Sequence, residues 1–424
     1  MQKISFINYL EAIAIFKNKK NNIAFLDVRT RKAYVQEFAF GAINCPLNRF
    51  SLMIADLVPD RSTLIIMIGA NKKAIFKTNL ILTKKKYSNV HYIKGDYQAW
   101  KKAKLPMWAG EFTLSKAFGE WIEATGKVNN IFPNELHRMH QQPNSQLLQI
   151  DARPKIEYEK FTLPYSKHCS GGELPAYLQK TSPKKTIIVH CAGRTRSIIA
   201  YQTLLDFNIS QKKYVLNGGT QNWVLNGLER AYQQKSDINK HQVNIAQDKK
   251  LAKTIIQKFK LPSVARIKNI KGVHGFVIQS EIINNQKIPY WKNVNATTLV
   301  QNTDKFIAST STPIYIYSDI PTSAVFSVLW LTRMGYHAIW HQDKPTKKLT
   351  YQYCNKNFSD PTYFFPKRHL GNKKDAQGYL DWEHGLIPTL QKWGCKYPWL
   401  PMNVKTVNKS THPIHNVYGQ LQIK

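Results

Sequence analysis

The chain of 424 residues is 43% hydrophobic and 12% aromatic, a globular composition with enough apolar mass for about three domains of ordinary size. No uninterrupted apolar run approaches the ~18 residues of a membrane span. The opening "MQKISFINYLEAIAIFKNKK" lacks a signal peptide's basic cluster, apolar core and small-residue cleavage pattern, so neither span nor leader is expected. Lysine and arginine number 61 against 26 Asp and Glu, a formal charge of +35. The lysines are dispersed and no nucleic-acid motif accompanies them, so the excess reads as compositional bias: it favours small anions and specifies neither nucleic acid nor membrane.

In chain order, the first landmark is "FLDVRTRKAY" (25–34), followed by "LIIMIGANKKA" (64–74) and "YIKGDYQAW" (92–100). The same three recur as "LQIDARPKIEY" (148–158), "IIVHCAGRTRS" (187–197) and "VLNGGTQNW" (215–223), at offsets of 124, 122 and 123. Near-constant offsets indicate a duplicated module of about 100 residues. A third copy is signalled by "PIYIYSDIPTSAVFSVLWLTRMGYHAIW" (313–340), which places Ser318 where Cys191 stands; its early half, around Gly275 to Val300, aligns poorly and its closing Trp motif is missing. The expected organisation is a module over 1–108, a linker over 109–129, a module over 130–234, a linker over 235–258, a degenerate module over 259–345, and a C-terminal extension over 346–424 with a helix near 376–392.

Within the second module the pattern predicts strands at Leu147–Asp151, Thr186–His190 and Tyr214–Leu216, a helix over about Ser197–Phe207, and a Gly-Gly turn leading into a helix with Trp223. Apolar β runs alternating with helices imply an α/β fold, a small parallel sheet covered on both faces, with ligands at the carboxyl ends of the strands. Cys191 stands at such an end. The five cysteines, Cys45, Cys169, Cys191, Cys354 and Cys395, have no CxxC or Cys/His metal spacing, so no metal is expected and the thiols read as reduced, in a cytoplasmic compartment.

The loop after Cys191 holds Ala192, Gly193, Arg194, Thr195, Arg196 and Ser197. A loop curling before a helix N-terminus turns several N–H groups toward one point, and Gly193 is expected to supply unusual dihedrals for that curl. The helix dipole and Arg194 or Arg196 favour a thiolate there, which makes Cys191 a candidate nucleophile. A lone cysteine after an apolar strand is ordinarily a small buried hydrophobe, but two arginines would be poor neighbours for an inert thiol. His190 precedes it on the strand and is read as packing, and Cys169 as a spectator.

The Asp-Ala-Arg segment, the strand ending in Cys191, "CAGRTRS" and "LNGGTQNW" resemble a rhodanese-like sulfurtransferase domain. "SKAFGEWIE" (115–123), "VHCAGRTRSIIAYQTLL" and "AQGYLDWEHGL" (376–386) are similar to multidomain rhodanese-related sulfurtransferases, in which tandem modules occur and one carries the cysteine. The resemblance covers most of the chain and is most specific in the second module. It implies sulfane-sulfur transfer: Cys191 takes sulfur from an anionic donor such as thiosulfate, holds it as a persulfide without any cofactor, and passes it to a thiol, sulfite or cyanide, or to an acceptor protein. It further implies that the loop N–H groups hold the persulfide, that Arg194 and Arg196 bind the donor or leaving sulfite, and that Thr195 and Ser197 supply hydroxyl bonds. Asp151 and Arg153 match the family's Asp-x-Arg position and read as a structural ion pair; Glu173 matches a position near the loop where it could pair with an arginine.

Gly69 and Ser318 replace the cysteine in the outer modules, which therefore read as scaffold, docking surface or regulator. Two other readings stand beside sulfur transfer. A cysteine-dependent phosphatase of this fold would need arginine at position 197, where Ser197 stands. A non-enzymatic binding protein would suit the outer modules but not the intact loop of the second.

Overall fold

The computed structural model describes residues 3–392 except 19–20, 127, 144, 239–241, 268–269, 284–286, 310, 350–352 and 354–359. Cys354, Cys395 and the last part of the expected C-terminal extension lie outside the described residues. The first module has strands β1 (Ser5–Ile7), β2 (Ile23–Asp27), β3 (Phe38–Ala39), β4 (Ile43–Asn44), β5 (Leu64–Ile68), β6 (Val90–Ile93) and β7 (Met107–Trp108). Its helices are α1 (Tyr9–Lys17), α2 (Arg31–Gln36), α3 (Phe50–Leu57), α4 (Lys72–Lys84) and α5 (Asp96–Lys102). Five strands form a parallel sheet in the order β1-β6-β5-β2-β4, while β3 and β7 pair antiparallel apart from it. All five residues of β2 are buried, as a continuous apolar strand inside a two-faced parallel sheet requires.

Helix α6 (Thr113–Thr125) follows, and then the second module: strands β8 (Asn130–Ile131), β9 (Leu147–Asp151), β10 (Phe161–Thr162), β11 (Lys167–His168), β12 (Thr186–His190), β13 (Lys213–Leu216) and β14 (Ala231–Tyr232). Helices α7 (Pro133–Gln141), α8 (Lys155–Lys160), α9 (Leu174–Tyr177), α10 (Thr195–Asp206) and α11 (Gly219–Leu225) connect them. The parallel order β11-β9-β12-β13-β8 repeats the first sheet strand for strand. After α12 (Ile245–Lys258), the third module comprises β15 (Ser263–Val264), β16 (His274–Ile278), β17 (Lys292–Val294), α13 (Ala296–Gln301), β18 (Ile314–Ser318), α14 (Pro321–Arg333) and β19 (Ala338–His341). Its parallel order, β15-β19-β18-β16-β17, is again the same topology. Helices α15 (Lys373–His384) and α16 (Leu386–Lys392) close the described chain. Among the described residues no helix is long and apolar enough to cross a membrane.

Strand register corrects one alignment. The last ladder pairs are Asp27 with Ile68, Asp151 with His190 and Ile278 with Ser318, so Ser318 matches His190, and Asp319, not Ser318, follows the strand as Cys191 and Gly69 do. The connection to the next helix shortens from four residues (191–194) to three (69–71) to two (319–320), so an alignment carried through it into the helix loses the strand register.

The expected linkers are also structured. Helix α6 fills most of 109–129 and lies against α10; a Cβ on Gly119 would meet Thr195 Cγ2 at 2.7 Å, so glycine is what lets the two helices approach. Helix α12 packs on α14 and buries Asp248, whose carboxylate accepts from Thr322 N (2.9 Å), Thr322 Oγ1 (2.7 Å) and Gln179 Nε2 (2.8 Å). One apolar cluster runs through all three modules, joining Ile54 and Leu57 to Ile198, Tyr201 and Phe207 and to Phe276, Val325 and Trp330. Polar ties cross the same seams, among them Trp330 Nε1 to Thr203 Oγ1 (2.8 Å) and Gly172 N to Thr297 Oγ1 (3.0 Å).

Asp248→Ala leaves the first turn of α14 and Gln179 without their buried acceptor, and is expected to cost about 1–3 kcal/mol, read as a lower denaturant midpoint with an unchanged slope.

Candidate active site

Strand β12 is flanked by β9 and β13 and carries Cys191 just past its carboxyl end. Cys191 is 2% exposed, and its Sγ lies 3.4 Å from Ser197 Oγ, which donates to the Arg194 carbonyl at 2.8 Å. The first-turn N–H groups of α10, at Thr195, Arg196 and Ser197, have no intrahelical partner by the geometry of a helix start. The loop is shaped by α11. Thr220 N donates to Cys191 O (2.9 Å), and Gln221 donates to Ala192 O through its backbone N (3.0 Å) and its Nε2 (3.2 Å). In a trans peptide C=O and N–H point opposite ways, so holding these carbonyls turns the N–H groups of Ala192 and Gly193 to the other side of the loop. Gly219, at φ +55°, makes the approach possible: a Cβ there would meet Cys191 O at 2.3 Å.

Gly193 does a different job from the one expected. It is not among the residues with positive φ, so no special dihedral is needed. Its missing side chain admits α15, whose Glu383 Oε2 would be 2.8 Å and Tyr379 Cε1 3.3 Å from a Cβ at that position. The "YLDWE" helix thus lies over the loop. Beneath it Lys116, buried on α6, bonds Tyr379 Oη and lies 3.6 Å from Glu383 Oε1; burial lowers its pKa to about 8 despite Glu383.

Neither loop arginine is free. Arg194 donates through Nε to Glu120 Oε1 (2.8 Å) and pairs with Glu123, both on α6, while Arg196 makes a bidentate pair with Glu157 on α8 (2.6 and 3.0 Å). Burial would raise the Glu157 carboxyl, yet the Arg196 guanidinium holds it below its ordinary value; at Glu120 burial prevails over Arg194 and the carboxyl is pushed up. The expectation that Arg194 and Arg196 face an incoming anion is therefore revised for Arg194, which braces the loop against α6; Arg196 is braced against α8 and also lines the cavity beside the loop. Thr195 Oγ1 is buried without a hydrogen-bond partner among the described residues.

Asp151 and Arg153 form a clamp. Arg153 Nε and Nη2 bond the Asp151 carboxylate at 2.7–3.1 Å, Nη2 also reaches Phe161 O (2.5 Å), and Thr162 Oγ1 donates to Asp151 Oδ2 (2.7 Å). Arg29 repeats this on Asp27 and on Glu37 O in the first module. The pair ties a strand end to the chain eight residues beyond the arginine. Glu173 pairs with no loop arginine. It is fully buried and accepts from Ser170 Oγ (3.1 Å), Ser280 Oγ and Glu281 N (3.0 Å), because its short helix faces the third module instead of the loop. Burial, with Glu173 and Glu281 nearby, pushes the Cys169 thiol well up. His190 bonds Ser166 Oγ through Nε2 (2.7 Å), and burial lowers its pKa to about 4.

The cysteine-less strand ends are plugged from within. Gly69 N donates to Asp96 Oδ1 (2.5 Å), and Asp96 is the counterpart of Gly219 at the start of α5. In the third module Asp248 occupies the first turn of α14. Beside the second-module loop, by contrast, a cavity of about 290 Å³ opens against Ala192 and Arg196, walled by α6, α8, α13 and the segment that leads into α15.

The Asp151 carboxyl is raised by burial but, through Arg153 and Thr162, held net below its ordinary value. A depressed pKa contributes stability above about pH 4 that is lost as pH falls further. Asp151→Asn strands a buried guanidinium, so it is expected to cost about 3–5 kcal/mol at pH 7 and to flatten that acid limb, measured by denaturant titration across pH.

The rhodanese-like domain family matches this chain twice, over residues 12–103 and 132–226. No curated protein sequence matches it significantly. Among solved structures, a thiosulfate sulfurtransferase from Pseudomonas aeruginosa aligns over 92% of this chain and 98% of its own, with a TM-score of 0.78 at 19% identity, a likeness of fold. A rhodanese-related protein from Thermoplasma volcanium (20% identity, 25% of this chain, 99% of its own, TM-score 0.22) and a rhodanese-like domain protein from Staphylococcus aureus (20%, 23%, 91%, 0.21) match at the scale of one module. The shared parallel topology and the two family matches agree: residues 12–103 and 132–226 are two rhodanese-like domains in tandem.

Proposed function

We propose that the protein is a sulfurtransferase that carries sulfane sulfur on Cys191. The observation that supports this most is the cysteine's position past the central strand, 3.4 Å from Ser197 Oγ in the first turn of α10, in a loop whose carbonyls α11 holds away. The thiolate attacks the outer sulfur of a donor; with thiosulfate, the new S–S bond forms as the old one breaks and sulfite leaves with its electron pair. An acceptor thiolate, sulfite or cyanide then attacks the outer sulfur and Cys191 departs as thiolate. Donor and acceptor exchange one sulfur, so no external oxidant or cofactor enters the balance. The loop N–H groups stabilise anionic sulfur in both steps.

A phosphatase reading has little to support it: Ser197, where arginine would be needed, is committed to Cys191 and the Arg194 carbonyl, and both arginines are ion-paired. The outer modules, with their own carboxylates in place, serve as scaffold. The third module supplies α13 to the walls around the second-module loop, beside α6 from between the first two modules.

Steady-state transfer from thiosulfate to cyanide is expected to give parallel double-reciprocal lines, the signature of a covalent carrier. Cys191→Ser is expected to abolish turnover, lowering kcat by at least about 10³-fold. Intersecting lines, or activity retained in the variant, would refute the covalent route.

A further inference from the structure

We propose that helix α4 of the first module is a docking face for a second protein, which lays on it an amphipathic helix flanked by carboxylates. The inference is independent of the sulfur chemistry and rests on a comparison within the chain. Counted from the helix starts Lys72, Thr195 and Pro321, Phe76 of α4 matches Ile199 of α10 and Val325 of α14, and Leu80 matches Thr203 and Leu329. The four counterparts are buried, yet Phe76 is 51% and Leu80 48% exposed. Helices cover the other two: α6, just ahead of β8, lies on α10, and α12, just ahead of β15, lies on α14, while α10 and α14 also meet through Thr203 and Trp330. Among the described residues no helix covers Phe76 or Leu80.

The open face extends to the sheet edge. Phe6 on β1 is 52% exposed, and its ring lies 6.1 Å from that of Tyr92, whose hydroxyl hydrogen-bonds Thr78 Oγ1 on α4 (2.9 Å). By strand register its counterpart in the second module is Asn130, and Asn130 Nδ2 donates to Glu123 Oε1 (3.0 Å) on the covering helix α6. The two covers show what an occupant of α4 needs. Glu120 of α6 accepts from Arg194 Nε at the start of α10 (2.8 Å), and Asp248 of α12 accepts from Thr322 N at the start of α14 (2.9 Å). Each cover thus adds a carboxylate to its buried apolar residues, Phe118 and Ile122 on α6 or Ala252 and Ile255 on α12. On α4 the charge awaiting a partner is cationic. Lys73, Lys77 and Lys84 share one face with Phe76 and Leu80 by helical spacing, Lys72 stands beside them, all four are exposed, and the helix holds no Asp or Glu. A second copy of this chain seated there through its own α4 would set lysine against lysine, so the face fits an acidic partner, and its apolar anchors would stay in water under a purely electrostatic contact.

The test selects binders to the full-length protein from a displayed library of helical peptides of about 15 residues, roughly four turns. Enriched sequences are expected to repeat apolar residues at three- and four-residue spacing with Asp or Glu beside them. A synthetic peptide of enriched sequence should bind Phe76→Ser/Leu80→Ser, and separately Lys73→Glu/Lys77→Glu, at least about tenfold more weakly than the wild type. Lys249→Glu/Lys253→Glu makes the same charge change at exposed positions of α12 and should leave binding unchanged, which separates this face from the +35 field. All the substituted side chains are exposed, so the variants should keep the wild-type thermal midpoint. No enrichment, enriched peptides without acids, or peptides that bind the α4 variants as tightly as the wild type overturn the proposal. So does binding to phosphatidylserine vesicles, or self-association in sedimentation, that is lost in the α4 variants while no peptide is enriched: the first gives the face to a membrane surface, the second to another copy of this chain.

Discussion

The whole site depends on two backbone carbonyls. Cys191 O and Ala192 O are taken by the first N–H groups of α11, and that capture orients the loop whose other face is offered to a ligand. It requires Gly219, where any side chain would collide with Cys191 O, and it is reinforced by Gln221 Nε2. From there the constraints spread outward. Arg194 and Arg196 anchor the loop to α6 and α8, Gly119 lets α6 approach, and Gly193 lets α15 lie on top. The Cys191 loop is thus assembled by the second module, the helix before it and the C-terminal helix together.

The three modules show what the same architecture does without a cysteine. Each presents a strand end and a following helix whose N–H groups seek an anion. In the first module Asp96, at the position of the second module's Gly219, accepts from Gly69 N in the loop ahead of the helix, and in the third Asp248, from the helix that precedes the sheet, accepts from Thr322 N in the first turn of α14. An internal carboxylate at these positions is a structural answer to an electrostatic demand. In the second module the same demand faces Cys191 and a cavity.

Much of this was legible in the residues. The repeat offsets and the β-run and helix pattern pointed to tandem parallel sheets, and "IIVHCAGRTRS" to the loop, because strand ends and glycine-bearing loops are local features. What escaped was non-local. The roles of Arg194 and Arg196 depended on Glu120 and Glu157, 74 and 39 residues earlier in the chain, and on a helix mistaken for a linker, although "SKAFGEWIE" already carried the acidic partners. Gly193 was assigned to dihedral freedom because its true neighbour, Glu383, lies far along the sequence. Glu173 was judged by proximity to the loop, but its burial against Ser280 and Glu281 decides its bonding.

The central claim is that sulfur rests covalently on one cysteine. Intact-protein mass spectrometry after incubation with a sulfane donor tests it most directly. The account predicts a gain of about one sulfur atom, removed by a reductant or by cyanide, mapped by peptide digestion to Cys191 and absent from Cys191→Ser. A protein that stays unmodified by thiosulfate and by organic persulfides alike, or that takes up sulfur equally well in Cys191→Ser, would contradict it.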